Sequence, residues 1–277
     1  MGLLGYGASA QVYLLKHKVK NKYLALKVIP FKNEEKLKCL VETEVKLLSE
    51  CHCENIIRCY ASYYKSGSVN MVIEYMNKGT LSDILKKVKI IPENILGIIT
   101  NQILKGLEYL QKEKKVVHRD IKPSNILLNS NGYAKISDFG ISKILEDTKD
   151  NLKTLIGTYI YMSPERIRGE SYSFNSDVWS VSMAMLECAT GHHPYSNMTG
   201  FKNVNDLWSL LYLIDSNTTP GLPCDLQFSE EFRDFIELSL NKNPSERPSV
   251  SKLMNHPFIA KYDNQHSVLS KWLSQLN

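Results

Sequence analysis

No stretch of the chain is apolar for long enough to cross a membrane as a helix, and its first residues lack the apolar segment of a secretory signal. Basic residues are dispersed rather than gathered into a tract, and the formal net charge is only +5, so neither nucleic-acid nor membrane-surface binding is indicated. Cysteine is scarce, at six in 277 residues, and none is paired as Cys-x-x-Cys. Cys51-x-Cys53 stands at the expected end of a helix without histidines at finger spacing. Free thiols in a reducing compartment are therefore expected for Cys39, Cys51, Cys53, Cys59, Cys188 and Cys224, not zinc or disulfides. No repeat, low-complexity tract or linker divides the chain. These absences leave one soluble functional unit, expected in the cytoplasm or also the nucleus, with no indication of its oligomeric state.

What is present is ample material for a core, 43% hydrophobic with 23% charged residues. The chain is organised around Val116–Gly140, where Asp120, Lys122, Asn125 and Asp138 stand between short apolar runs. Val116–Val117, Ile126–Leu128 and Ala134–Ile136 read as short buried strands, so the polar groups fall at strand ends and turns. Two carboxylates and an amide converging there can hold a divalent cation through oxygen and leave one carboxylate to accept a proton.

Upstream, Gly5-Tyr-Gly7-Ala-Ser-Ala10-Gln-Val12 lies between two strand-like runs, Leu3–Leu4 and Val12–Leu15. Such a glycine-rich hairpin lets backbone N–H groups approach an anion, although an ordinary β-turn has the same signature. Tyr23–Ile29 is an apolar strand carrying Lys27, and a buried ammonium needs a negative partner. A phosphate or Glu44 would serve. Glu44 lies on the apolar stripe of a helix expected over Glu34–Cys51, with Leu37, Leu40, Val41, Val45 and Leu48. Two more strands are expected, Asn55–Tyr60 and Ser68–Met76, followed by a turn at Asn77–Gly79.

Thr80 is placed to cap a helix over Leu81–Val88, and Ile95, Ile99, Ile103, Leu107 and Leu110 form the stripe of another over Ile95–Lys112. The polar segment from Asp138 to Glu165 is too long for an ordinary connection, and such loops are most often functional. Ser176–Gly191 is apolar nearly all round and reads as a buried helix; Asp177 can be its N-cap or can brace another segment. Smaller helices are expected over Leu207–Ile214, Phe232–Leu240, Val250–Asn255 and Ser267–Leu276.

His118-Arg119-Asp120-Ile-Lys122-Pro-Ser124-Asn125, then Asp138-Phe-Gly140, with Lys27 and the glycine hairpin upstream, resemble the eukaryotic protein kinases across nearly the whole chain. The resemblance implies an α+β, two-lobed fold. A small β-rich lobe would span about 1–74, a hinge 74–79 and a mainly helical lobe 80–260, with a tail at 261–277. It implies ATP and Mg2+ as cofactors, Asp138 and Asn125 holding metal, and Lys27 on the phosphates with Glu44 fixing it. Asp120 would take the substrate hydroxyl's proton, Lys122 would offset charge on the transferred group, and Thr158 would tie the substrate platform to Asp120. The nucleotide site would comprise Gly5, Gly7, Ala10, Val12, Ala25, Ile73 as gatekeeper, Glu74 and Met76 at the hinge, and Leu127. Ala10 stands where a third glycine is usual, and Ser182 replaces a usual helix glycine. Glu165 and Arg247 would pair to staple the large lobe, and Asp177 would brace the catalytic loop.

Arg119 before Asp120 implies regulation by a phosphate on the segment 138–165, with Lys143 as a second cation. Gly157-Thr-Tyr-Ile-Tyr-Met-Ser163-Pro-Glu165-Arg166 and Ser124 resemble the mitogen-activated protein kinase kinases. In that family two phosphorylatable residues lie four apart; here those places hold Asp150 and Thr154, with Thr148 a further hydroxyl. The expectation is a dual-specificity kinase, activated at Thr154 by an upstream kinase and acting on a downstream MAP kinase. A Ser/Thr-only kinase of a neighbouring cascade tier and an ATP-binding scaffold are the alternatives. The first strand is short and the family's docking segment does not precede it, so either a trimmed or an unusually abbreviated N-terminus is expected.

Overall fold

A computed structural model of the chain describes residues 2–6, 10–30, 45–65, 67–138, 159–171, 173–196, 207–216 and 219–276. The first part is a five-stranded antiparallel sheet of β1 (Gly2–Tyr6), β2 (Gln11–Lys16), β3 (Tyr23–Pro30), β4 (Cys59–Lys65) and β5 (Ser68–Glu74). The strands lie in the order β1-β2-β3-β5-β4. Alternation sets which side chains turn inward: Ala25 and Ile29 on β3, and Met71 and Ile73 on β5, are buried. Register then aligns the candidate site, placing Val12 opposite Lys27 and Ala25 opposite Ile73.

β4 begins later than the apolar run Asn55–Tyr60 suggests. The backbone of Asn55 and Ile57 is already engaged by Ile136, through Ile136 N–H to Asn55 O at 2.9 Å and Ile57 N–H to Ile136 O at 3.0 Å. Those residues stitch the two halves of the fold together instead of extending the sheet. Of the helix expected over Glu34–Cys51, residues 45–51 are described; 45–49 are helical, with Leu48 buried, and the helix ends in a turn before Cys51.

The second part is mainly helical. Thr80 forms a capping box with Asp83 at the start of α1 (Leu81–Val88). The central helix α2 (Glu93–Tyr109) runs on into a π-helical turn at Leu110–Lys114, and its stripe residues Ile95, Ile99, Ile103, Leu107 and Leu110 are all buried. Beyond the turn, Val116–Val117 is not a strand. Val116 N–H closes back onto Leu110 O at 3.1 Å, and the N–H groups of His118 and Arg119 are taken by a side chain described below, so no ladder forms. β6 (Gly79–Thr80), β7 (Ile126–Leu128) and β8 (Ala134–Ile136) make a small sheet at the edge of this half.

α3 (Pro164–Ile167) leads to α4 (Phe174–Thr190), which is buried along almost its whole length. Ser173, not Asp177, caps α4, leaving Asp177 inside the first turn with its side chain free for another role. Ser182 on α4 is buried with no hydrogen-bond partner for its hydroxyl, and nothing in the structure explains its presence. Against α4 pack α6 (Glu230–Ser239) and α7 (Val250–Met254), while α5 (Leu207–Asp215) lies against α3, and α8 (Pro257–Ala260) and α9 (His266–Ser274) lie against α2. Stacking of Phe232 on Phe258 at 4.6 Å joins two of them. No helix among the described residues is long and apolar enough to cross a membrane.

α9 buries Leu269 and Leu273 and is fastened to the turn between β7 and β8. Ser270 Oγ donates to Ser130 O at 2.6 Å, and the His266 ring stacks on Tyr133 at 4.5 Å. Gly132 in that turn has φ +80°, and a Cβ there would lie 1.9 Å from His266 O, so the helix can approach only because the residue is glycine.

Glu165 and Arg247 pair at 2.9 and 3.1 Å, both within 1% of full burial by side chain. Ser176 Oγ donates to the same carboxylate, the guanidinium also donates to Asn175 O and Asn241 O, and it lies 5.2 Å from the Trp179 ring centre. With every polar atom partnered, the pair tolerates its burial, but removing one member strands the other. Arg247→Met should therefore cost about 3–5 kcal/mol of stability, read as a lower urea midpoint with an unchanged slope.

Candidate active site

Two short strands and two tight turns carry the polar groups. Asn125 ends a 3-10 turn at Pro123–Asn125 that runs straight into β7, and Asp138 follows β8 by one residue. Because β7 and β8 pair with Ile126 opposite Ile136, Asn125 and Ser137 come together: Ser137 N–H donates to Asn125 O at 2.9 Å, and Ser137 Oγ does so at 3.1 Å. Asp138 has φ +60°, a left-handed conformation that an L-residue adopts only when its surroundings hold it there.

Asp120 is buried, and its Oδ2 is held by two neighbours. Asn125 Nδ2 donates to both Asp120 O and Asp120 Oδ2 at 2.8 Å, and Lys122 Nζ lies 3.0 Å from Oδ2. One carboxylate is thus aimed by an amide and a cation, leaving Asn125 Oδ1 turned away from it. Lys27, projecting from β3, forms an ion pair with Asp138 Oδ1 across the gap between the halves. Glu44, Thr158, Gly7, Thr154, Asp150 and Lys143 lie outside the described residues.

Asp177 holds the loop from below. Its Oδ2 accepts His118 N–H at 2.8 Å and its Oδ1 accepts Arg119 N–H at 2.9 Å. Burial pushes this carboxyl above its usual range, while the two N–H donors act in the other direction. His118 is also wholly buried, and desolvation lowers its pKa despite the neighbouring carboxylates, so the ring is neutral. Its bonding defines the tautomer: Nε2 lies 3.0 Å from Ser137 O and must donate, while Nδ1 accepts Asp120 N–H at 3.3 Å. A single imidazole thereby links the backbone of Asp120 to the residue before Asp138. The sequence contains the signal, since His118 heads the motif, but its role depends on tautomer and burial, which no spacing reveals.

The nucleotide-slot candidates fall on both sides of the same gap. Ala10, Ala25, Ile73 and Met76 are buried, and Val12 and Leu127 are partly so. At Glu74, where the hinge is expected, the N–H donates to Arg58 O at 2.9 Å and the carboxylate pairs with Lys135 Nζ at 2.8 Å. This second ion pair, between the last residue of β5 and the middle of β8, is not marked by any motif. Lys135 stands in a short apolar strand much as Lys27 does in β3, and that parallel is the only trace of it in the sequence.

Residues 1–259 match the protein kinase domain, and the chain belongs to the protein kinase family. It is an ATP-dependent protein kinase. Its relatives narrow the assignment: it is 40% identical to mitogen-activated protein kinase kinase 1 of Arabidopsis thaliana, over 98% of this chain and 77% of that protein. It is 43% identical to mitogen-activated protein kinase kinase 1c of Physcomitrium patens, over 98% and 78%, and 36% identical to the dual specificity mitogen-activated protein kinase kinase dSOR1 of Drosophila melanogaster, over 99% and 73%. Within the protein kinases it is a member of the mitogen-activated protein kinase kinases.

The family uses ATP with a divalent metal, and the donor set suits that use. Among the described residues, no three His, Cys, Asp or Glu side chains cluster into a protein cage. Asp138 and Asn125 instead offer two hard oxygen donors, the arrangement in which phosphate and water complete the coordination shell. A nucleotide–metal complex at a hundred times its Kd stabilises a protein by about 2.7 kcal/mol. The expected result is a rise in melting temperature with ADP and magnesium that EDTA reduces, and that Asp138→Asn reduces to the EDTA level.

Proposed function

We propose that the chain transfers the γ-phosphoryl group of ATP, with Mg2+, to both a threonine and a tyrosine hydroxyl in the activation loop of a downstream MAP kinase. We further propose that an upstream kinase switches it on at Thr154. The observation that carries the proposal is the aimed Asp120 carboxylate, flanked by Asn125 and Lys122. Dual specificity is supported by the relatives named as dual-specificity enzymes in Drosophila melanogaster and Dictyostelium discoideum.

Phosphoryl transfer asks mainly for positioning and charge neutralisation. Asp120 accepts the proton of the incoming hydroxyl as its oxygen bonds to phosphorus, and ADP leaves. Lys122, already 3.0 Å from Asp120, offsets charge on the transferred group. Asp138 and Asn125 provide the oxygens for metal, and Lys27 provides a cation toward the phosphates. Magnesium, when bound, neutralises charge between the phosphate oxygens. Val12 and Ala25 above, Leu127 below and the backbone at Glu74–Met76 would enclose adenine, with Ile73 at the back. For Gly7, Glu44 and Thr158 the roles rest on their motifs alone.

Thr154 and Asp150 are assigned in the same way. Asp150 would supply a permanent negative charge, and phosphate on Thr154 would complete the partner set for Arg119 and Lys143.

The test is transfer of radiolabel from MgATP to a kinase-dead MAP kinase, with the modified hydroxyls mapped. Wild type, Asp120→Asn and Thr154→Ala are compared with and without prior upstream phosphorylation. Label on both threonine and tyrosine, lost in Asp120→Asn and no longer enhanced by the upstream kinase in Thr154→Ala, is expected. Label on serine or threonine alone would replace the dual-specificity reading. Full activity of Thr154→Ala would remove the proposed switch.

A further inference from the structure

The peptide plane that leads into Asp120 is held at both of its polar ends. Arg166 Nη1 donates to Arg119 O at 2.6 Å. The N–H of the same plane belongs to Asp120 and points at His118 Nδ1, 3.3 Å away. Arg119 sits at φ +74°, where an L-residue is strained, so this backbone keeps its shape only while its hydrogen bonds hold it. Asp177 secures the plane before Arg119 through the Arg119 N–H; Arg166 secures the plane after it.

Arg166 is itself well anchored. It lies on the short α3, immediately after Glu165, whose carboxylate is locked by Arg247 and Ser176. The base of the arginine is therefore fixed to the buried pillar while its tip reaches the catalytic loop. Its charge also favours the ionised form of Asp177.

We propose that Arg166 is a positioning residue for phosphoryl transfer, acting on Asp120 through the Arg119–Asp120 peptide and not by contact with the substrate. Without its donor, the strained plane can rotate, and the Asp120 carboxylate swings away from the line of attack although Asn125 and Lys122 remain. The inference rests on the reading of Asp120 as the proton acceptor.

The test measures two reactions that share Asp120 but not the acceptor: transfer to a protein substrate, and the slow hydrolysis of ATP in which water is the acceptor. Wild type, Arg166→Met, Arg166→Lys, Asp120→Asn and the surface variant Arg168→Met are compared. Arg166→Met should lower kcat for both reactions by about tenfold or more, with the KM for ATP within about twofold of wild type. Arg166→Lys, which keeps a charged donor, should recover part of the loss, and Arg168→Met should match wild type.

Transfer lost with hydrolysis intact would overturn the proposal and make Arg166 a substrate contact. Loss of both with a much lower melting temperature and no recovery in Arg166→Lys would make it a structural residue only. Unchanged rates would also overturn it. If Asp120→Asn hydrolyses ATP and phosphorylates protein as well as wild type, the failure lies in the reading of Asp120, whatever Arg166 does.

Discussion

The catalytic loop depends on one buried carboxylate. Asp177 carries both its oxygens to consecutive backbone N–H groups, of His118 and Arg119, and does so from a helix that is itself enclosed on all sides. Two amides that would otherwise be orphaned in a dry interior are satisfied at once, and the loop is freed from the strand pairing that its apolar flank invites. Val116 is held off separately, its N–H closing back onto Leu110 O. A desolvated carboxylate is tolerable here because the donors are charge-assisted partners at short distance.

From that constraint the site is assembled by a few shared atoms. His118, neutral and buried, receives the Asp120 N–H on one ring nitrogen and donates to Ser137 O with the other, so the backbones leading to Asp120 and Asp138 are tied to one ring. The β7–β8 pairing places Asn125 against Ser137, and Lys27 reaches across to Asp138 from the β3 strand. Glu74 and Lys135 tie the end of β5 to β8 by a second ion pair. Two strained residues lie in the same place: Arg119 and Asp138 both occupy left-handed backbone, held by the contacts around them.

Much of this was legible in the residues. The apolar stripe of α2 and the Thr80 cap mark their helices because 3.6-residue spacing and capping chemistry are local properties. Ile126–Leu128 and Ala134–Ile136 form strands over those same residues. What escaped was decided across the fold. Asn55–Ile57 is as apolar as a strand, but its hydrogen bonds are claimed by Ile136 from another part of the chain. Asp177 reads equally as a cap or as a brace; Ser173 takes the cap, and Asp177 bonds the His118 and Arg119 N–H groups. His118 and Arg166 are visible letters of motifs, yet what they do depends on a ring tautomer and on a carbonyl forty-seven positions away in sequence.

The central claim is that Asp177 sets the geometry on which catalysis rests, and Asp177→Asn tests it with the least change of shape. The asparagine keeps one acceptor oxygen but turns an NH2 toward the second backbone N–H. Turnover should be measured at saturating MgATP, alongside the nucleotide Kd and the melting temperature. The account predicts kcat reduced about ten- to a hundredfold while nucleotide affinity stays within about twofold, since the hinge and Lys27 are untouched. A folded variant that turns over at the wild-type rate would contradict it.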